Sequence, residues 1–144
     1  MSLVIDANAA NTLSAGGCDA SMAIIVWVRK GGEVVSGGRL QKELLNTNLR
    51  SLLFQWSAAG RLRVLDADLV NKVDAALRPQ CRSNDSHVVA VLKIGDGKVL
   101  VSGDTDLHKD VKDVALMGYR RKIISCDQGI FSDIRIVRAL LRSC

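Results

Sequence analysis

Two short apolar runs, each followed closely by an aspartate, constrain the fold of this chain more than any other feature. Residues 3–5 lead directly into Asp6, and residues 99–101 are followed three positions later by Asp104. Runs of this length and composition are typical of strands that are buried on both faces of a parallel sheet. The carboxyl ends of such strands meet at one edge, where ligands bind in open α/β sheets. We therefore expect Asp6 and Asp104 to converge at that edge.

The rest of the chain alternates similar apolar runs with helical patterns. Further strands are predicted at residues 33–36, 62–65 and 122–125. Helices are predicted between and after the strands, at residues 19–30, from residue 39, and at residues 49–59, 69–77, 86–94, 107–117 and 132–141. Strands separated by helices indicate a parallel sheet that is covered on both faces. The sequence therefore predicts a single α/β domain over residues 1–144, a three-layer α/β/α sandwich with a mainly parallel central sheet.

Composition bounds the function without deciding it. The longest apolar run, residues 22–28, is far shorter than the ~18 residues of a membrane-spanning helix, and no secretory signal is visible at the N-terminus. We therefore expect a soluble cytoplasmic protein. The formal net charge of +5 favours a polyanionic partner. No CxxC pair is present, so reduced structural thiols are expected at Cys18, Cys81, Cys126 and Cys144.

Two further acids can join Asp6 and Asp104. Glu43 lies in the helix after the second predicted strand, and Asp85 starts the helix before residues 99–101. Hydrolysis of a phosphodiester by metal ions needs several carboxylates around one cleft, because Mg²⁺ or Mn²⁺ prefers hard oxygen ligands. Simpler interpretations stay open at this point. Asp85 alone is typical of a helix cap, and Glu43 alone is typical of a solvated helix residue.

Four segments of the chain resemble the motifs of a known family. They are LVIDAN at residues 3–8, KELL at 42–45, NDSHVVAVL at 84–92 and LVSGDTDL at 100–107. This series resembles the PIN domain family of metal-dependent ribonucleases. By position, the resemblance implies an endoribonuclease that hydrolyses RNA phosphodiester bonds with Mg²⁺ or Mn²⁺. It implies Asp6, Glu43, Asp85 and Asp104 as catalytic and metal-binding acids, Ser102 in the hydroxyl position, and Asp106 as an accessory carboxylate at the metal.

The size of the chain adds a narrower resemblance, to the VapC-type toxins of VapBC toxin–antitoxin modules. This resemblance implies RNA as the substrate and leaves a small antitoxin protein and a homodimer as possible partners. A noncatalytic PIN-like module that binds RNA or protein is the alternative function. A phosphotransferase of the haloacid-dehalogenase type fits less well, because Asn8 stands where that class needs a second aspartate.

Basic, imidazole and aromatic residues carry weaker predictions. His87 and His108 are predicted to lie on the surface, because carboxylate chemistry needs no imidazole. The final helix carries Arg135, Arg138 and Arg142 on one side, which predicts either a solvated basic face or a track for an RNA backbone. The chain has only two Trp, one Tyr and two Phe, so recognition by base stacking is not indicated. Target choice is expected to depend on RNA shape and backbone geometry.

Overall fold

A computed structural model of the chain describes residues 2–127 and 129–142, which fold around a six-stranded sheet. The strand order is β3-β2-β1-β4-β5-β6. The first five strands run parallel, and the last pairs antiparallel with β5. The strands are β1 (Ser2–Ile5), β2 (Glu33–Gly37), β3 (Leu62–Leu65), β4 (Val99–Ser102), β5 (Lys122–Asp127) and β6 (Ile130–Phe131).

Helices connect the parallel strands and cover both faces of the sheet. The chain steps from β1 outward to β2 and β3, then returns to β4 and β5 on the other side of β1. Because such crossovers are right-handed, the connections on the two sides of β1 place helices on opposite faces of the sheet. The predicted three-layer α/β/α sandwich is confirmed. Its helices are α1 (Ala7–Ala15), α2 (Asp19–Arg29), α3 (Gly38–Leu45), α4 (Arg50–Ala58), α5 (Ala67–Leu77), α6 (Ser86–Ile94), α7 (Thr105–Lys112), α8 (Val114–Met117) and α9 (Ile134–Arg142), with a 3-10 helix at Arg78–Gln80. Helix α3 follows the carboxyl end of β2 and contacts α1, α5 and α6.

Strands β1 and β4 form the buried centre of the sheet. They pair in parallel, with Ile5 opposite Val101 in the register, and all their residues are buried. Asp6 continues the pairing, because its backbone N–H donates to the Val101 carbonyl at 2.9 Å. The two strands therefore end side by side, as the apolar runs predict, and Asp6 and Ser102 emerge at the same edge.

Gly103 allows the chain to turn out of β4 toward the site. A Cβ at this position would lie 2.1 Å from the backbone oxygen of Cys126, at the end of β5. Any other residue would therefore push β4 and β5 apart. Asp104 follows at once and is the N-cap residue of α7. The close approach of the two strands thus fixes where this aspartate begins the helix.

The structure corrects two predictions in the C-terminal third and adds one strand. The helix predicted over residues 107–117 is two helices, because Asp113 has an extended backbone and starts α8 by accepting hydrogen bonds from the next turn. The terminal helix begins at Ile134 rather than at residue 132. Strand β6 was not predicted, since a two-residue edge strand leaves almost no periodic pattern.

The buried side of α2 also differs from the prediction. The helical pattern of residues 19–30 predicts Met22, Ile25 and Val26 on the inward side. Ile25 is buried as predicted, but Met22 is 43% exposed and Val26 is half-buried, and the rest of the buried side contains Ile24 and Val28. The same pattern predicts Asp19 as the cap of this helix, but Cys18 is the N-cap residue, and its sulfur accepts from the Ser21 N–H at 3.5 Å. Apolar residues surround most of this helix, so hydropathy alone does not distinguish its two sides.

The predictions of reduced thiols and of no membrane-spanning helix concern residues that the structure mostly describes. Cys18, Cys81 and Cys126 are free thiols, and Cys144 lies outside the described residues. Within residues 2–127 and 129–142, no helix has the length and apolar character that a membrane crossing requires.

Candidate functional site

The carboxyl ends of β1 and β4 place two aspartates on one serine. The Ser102 hydroxyl donates to Asp6 Oδ2 at 2.8 Å and accepts from the Asp104 backbone N–H at 3.0 Å. Ser102 is fully buried, and Asp6 is only 4% exposed. Burial raises the pKa of Asp6, against the opposing effect of the Ser102 hydrogen bond, and the nearby Asp104 charge raises it further. This hydroxyl therefore fixes the relative position of both acids.

Asp104 has two structural tasks. As the N-cap residue of α7, its Oδ1 accepts from the backbone N–H groups of Asp106 and Leu107 at 3.0 and 3.2 Å. Its carboxylate also hydrogen-bonds the Asp85 carboxyl group. The cap holds the side chain rigidly at the start of α7, so that it is directed at Asp85.

Asp85 starts α6 but does not cap it. It occupies the N-cap position, yet its side chain makes no cap hydrogen bond, so the cap interpretation of this residue is wrong. Burial raises its pKa to about 7, together with the charges of Asp6, Asp104 and Glu43 and the hydrogen bond with Asp104. A protonated Asp85 can donate that bond to the Asp104 carboxylate. The four acids predicted from separate segments therefore form one electrostatic cluster, called the acidic site below.

Glu43 reaches the acidic site with the help of a histidine. His87 Nε2 donates a hydrogen bond to Glu43 Oε1, which joins α6 to α3. The His87 side chain is 2% exposed, so the prediction that it lies on the surface is wrong. It follows Asp85 by two residues on a helix that is buried along most of its length, where an imidazole needs a polar partner. The apolar residues after His87, Val88 and Val89, were the available signal of its burial.

Asp110, to which the sequence pattern gives no role, anchors the segment that leads into Asp85. Its carboxylate is fully buried and accepts from the backbone N–H groups of Arg82 and Ser83 at 2.8 and 3.0 Å. It also accepts from the Ser83 hydroxyl at 2.8 Å, and that hydroxyl accepts from the Asp85 N–H at 3.3 Å. This network ties residues 82–85 to α7, and it therefore sets the distance between Asp85 and Asp104.

Three further contacts hold the edges of the acidic site. The Ser86 hydroxyl donates to buried Asp74 on α5, which secures the first turn of α6. His108 Nε2 donates to the Ser102 carbonyl at 2.7 Å, so this half-buried imidazole supports β4. The Asn8 carboxamide oxygen accepts from the Gly103 N–H at 3.3 Å, and it thus links the start of α1 to the turn after β4.

Asp106 stands apart from these four acids. Its side chain is 57% exposed, and its Oδ1 lies 3.9 Å from Lys109 Nζ one turn along α7. The acids that raise the pKa of Asp85 are Asp6, Asp104 and Glu43. The geometry thus brings together the four predicted catalytic acids and leaves the accessory carboxylate at the rim.

The acidic site is not already arranged as a metal cage. Within the described ranges, no group of three or more Asp, Glu, His or Cys side chains has the spacing needed to hold a metal ion. Asp6 is bonded to Ser102, Glu43 to His87, and Asp104 to the first turn of α7. Small side-chain rotations would be required before these oxygens could bind one cation together.

Comparison of the sequence with protein-family models and with curated proteins finds no relative. No protein-family model matches the chain, and no curated protein is significantly similar to it in sequence. The resemblance drawn from the four motifs therefore stands on the residues themselves and on where the fold places them.

Proposed function

We propose that the protein is a metal-dependent endoribonuclease that hydrolyses RNA phosphodiester bonds with Mg²⁺ or Mn²⁺. The observation that supports it best is the meeting of Asp6, Glu43, Asp85 and Asp104, which come from four separate segments and gather at one edge of the sheet. The resemblance of these segments to the PIN domain motifs supports the same activity. A noncatalytic RNA- or protein-binding module would have no use for such a costly cluster of acids.

The donor set suits a hard divalent cation. All four groups are carboxylates, and Asp85 hydrogen-bonds Asp104 directly. Asp6, Asp85 and Asp104 would hold the ion, because their short side chains lie at the ends of rigid elements. When bound, such an ion lowers the pKa of a water molecule and neutralises charge that develops on the phosphate. Asp106, exposed at the rim, would contribute from further out.

The chain's own residues would prepare the attack. His87 fixes the Glu43 carboxylate, so this longer side chain is held in place to orient the attacking water and receive its proton. Ser102 prevents Asp6 and Asp104 from rotating independently. Asp110 keeps Asp85 against Asp104 through residues 82–85. The three contacts would hold the acids in the same relative positions from one turnover to the next.

The size and motifs of the chain support a narrower proposal, that it is the cytoplasmic toxin of a toxin–antitoxin pair. Its partners would be RNA, a small antitoxin protein and, in a homodimer, a second copy of the chain. Expression of the wild type should then arrest growth, while Asp6→Asn should not. Equal growth with both proteins would leave the ribonuclease without a toxin role.

The direct test is cleavage of a labelled RNA that contains single-stranded and loop regions. We expect cleavage with Mg²⁺ or Mn²⁺, loss of cleavage with EDTA, and loss of cleavage in Asp6→Asn and Asp104→Asn proteins purified in parallel. Asn retains an oxygen that can cap α7 and accept from Ser102, so both variants should stay folded. Undiminished cleavage by Asp6→Asn would remove the mechanism, and RNA binding without turnover in any metal would favour the noncatalytic module.

A further inference from the structure

A groove of about 420 Å³ beside α7 is lined by charged side chains alone. Four of them are cationic and one is a carboxylate, so the groove is strongly positive. We call it the basic groove, and its residues are Arg82, Lys109, Lys112, Asp113 and Arg120.

The basic groove is built on the same segments as the acidic site. Arg82 lies three residues before Asp85, and its backbone N–H is bonded to buried Asp110. Lys109 is on α7, with its Nζ 3.9 Å from the Asp106 carboxylate at the rim of the acidic site. A linear polyanion that lies in the basic groove would therefore lead toward the acids.

The positive charge of the basic groove is largely uncompensated. Arg82 Nη1 lies 3.7 Å from Asp113 Oδ2, with the two side chains 56% and 33% exposed, which is the geometry of a weak surface pair. Within the part of the chain that the structure describes, Lys112 and Arg120 have no ion-pair partner. Both are exposed, so they can reach a ligand without breaking an existing contact.

We infer that the basic groove binds the phosphodiester backbone of single-stranded RNA beyond the bond to be cut. This inference rests on the proposed ribonuclease function and extends it to the path of the substrate. Lys and Arg contacts to phosphates are independent of sequence and need no aromatic platform. An acidic protein is a poorer fit, because protein interfaces depend on apolar or aromatic anchors and none lines this groove.

A second basic surface supplies a matched control. Arg138 and Arg142 lie on α9, which packs against α2. They line a separate groove of about 700 Å³ together with apolar side chains such as Met22, Val26 and Trp27. Removing these two arginines changes the net charge as much as removing Lys112 and Arg120 does.

The experiment compares Lys112→Ala/Arg120→Ala with Arg138→Ala/Arg142→Ala. Fluorescence anisotropy measures binding of a labelled single-stranded RNA in EDTA, where cleavage does not interfere, over a series of NaCl concentrations. We expect the basic-groove variant to bind about tenfold more weakly, with a salt slope lower by about 1.4, since each lost contact to a single strand removes about 0.7. The control variant should stay close to wild type. Thermal unfolding checks that both variants are folded, and a Gln pair at the same positions replaces any that is not.

The outcomes separate the basic groove from the catalytic proposal. Equal losses in both variants would mean that net charge alone governs binding, and this result would overturn the inference. So would a basic-groove variant that binds as wild type does, or a groove that binds polyglutamate but not RNA. If wild-type protein binds through the basic groove and cuts nothing with Mg²⁺ or Mn²⁺, the inference stands and the ribonuclease proposal fails. If it cuts RNA and the basic-groove variant binds normally, only the inference fails.

Discussion

The pKa values of the aspartates at the two ends of β4 are shifted in opposite directions. At the amino end, Lys98 Nζ donates to Asp96 Oδ2 at 2.8 Å and the Tyr119 hydroxyl donates to Oδ1 at 2.7 Å. These hydrogen bonds, that of Lys98 first, lower the pKa of Asp96. At the carboxyl end, burial and neighbouring acids raise the pKa of Asp85 to about 7. The carboxylate at the amino end therefore has a cation as its neighbour, whereas the carboxylate at the carboxyl end has other acids as its neighbours.

The difference in neighbouring charges indicates that the cluster around Asp96 is structural and that the acidic site is functional. Around Asp96, the Arg121 guanidinium stacks 3.5 Å from the Tyr119 ring centroid, and Lys98 lies 4.9 Å from the same centroid. In that cluster the Asp96 carboxylate already lies beside two cations, Lys98 and Arg121, so it needs no metal ion. The acidic site does not balance its charge, and groups held at perturbed pKa values in a cleft are typical of functional sites. Charge left uncompensated at the edge of a parallel sheet therefore indicates what the site is built to bind.

The largest expected effect distinguishes the two ends directly. Asp85→Asn should reduce metal-dependent RNA cleavage by at least ~100-fold, because it removes a carboxyl group that would lose its proton and bind the metal ion. Asp96→Asn makes the same substitution at the other end of β4, but it should leave cleavage close to wild type. Initial rates at saturating Mn²⁺, with affinity measured separately by calorimetry, provide the comparison. Similar losses in both variants would show that the two ends do not differ in function.

The next largest effect concerns the anchor beneath the acidic site. Asp110→Ala should lower the free energy of unfolding by about 3 kcal/mol, because the N–H groups of Arg82 and Ser83 would lose their buried acceptor. Asp85 would also lose its fixed position, so metal affinity should fall. Denaturant unfolding measures the first effect and metal titration the second.

Asp68→Ala is the matched control for this variant, because it removes an exposed acid from the first turn of α5. Asp68→Ala should lower the free energy of unfolding by less than about 1 kcal/mol. A loss in Asp110→Ala no greater than that of the control would contradict the anchoring role.

Sequence reasoning predicts the features that depend on local pattern. The strand bounds at residues 62–65 and the helix at residues 86–94 agree with β3 and α6. The meeting of Asp6 and Asp104 also follows from local pattern, because two fully apolar runs must both lie in the middle of a parallel sheet. Once the strands are adjacent, whatever follows each of them shares one edge.

Contacts between distant segments cannot be predicted from local sequence pattern. His87 and Asp110 each have a partner far along the chain, 44 residues away at Glu43 and 28 residues away at Arg82. Nothing in their own neighbourhoods identifies those partners. The apolar residues beside His87 indicate its burial but not its contact with Glu43, and the sequence gives Asp110 no role. The exposure of Met22 on α2 escapes prediction for a different reason, because apolar residues occur on more than one side of that helix.

Another expected effect is the pH dependence of the metal-free protein. Because folding raises the pKa of Asp85, its contribution to stability is complete below the ordinary value of 3.8 and is lost as the pH rises through about 7. Thermal unfolding in EDTA should therefore show wild type losing stability relative to Asp85→Asn across that interval. Asp96 should behave in the opposite way, since its lowered pKa contributes stability that is lost as the pH falls. If the difference in stability between wild type and Asp85→Asn stayed constant across that interval, the raised pKa of Asp85 would be contradicted.

The smallest effect is expected at the rim, where Asp106 tests how far the acidic site extends. Its side chain is exposed and lies near Lys109, while Asp104 is bonded to Asp85. Asp106→Asn should therefore lower Mn²⁺ affinity and cleavage by about tenfold, the lower end of what an outer partner of a metal site costs, and less than Asp104→Asn does. Metal titrations of the two variants at one pH give the ranking. If Asp106→Asn were as damaging as Asp104→Asn, the metal would have to be held by both acids of the turn that starts α7, and the boundary drawn between the acidic site and its rim would be wrong.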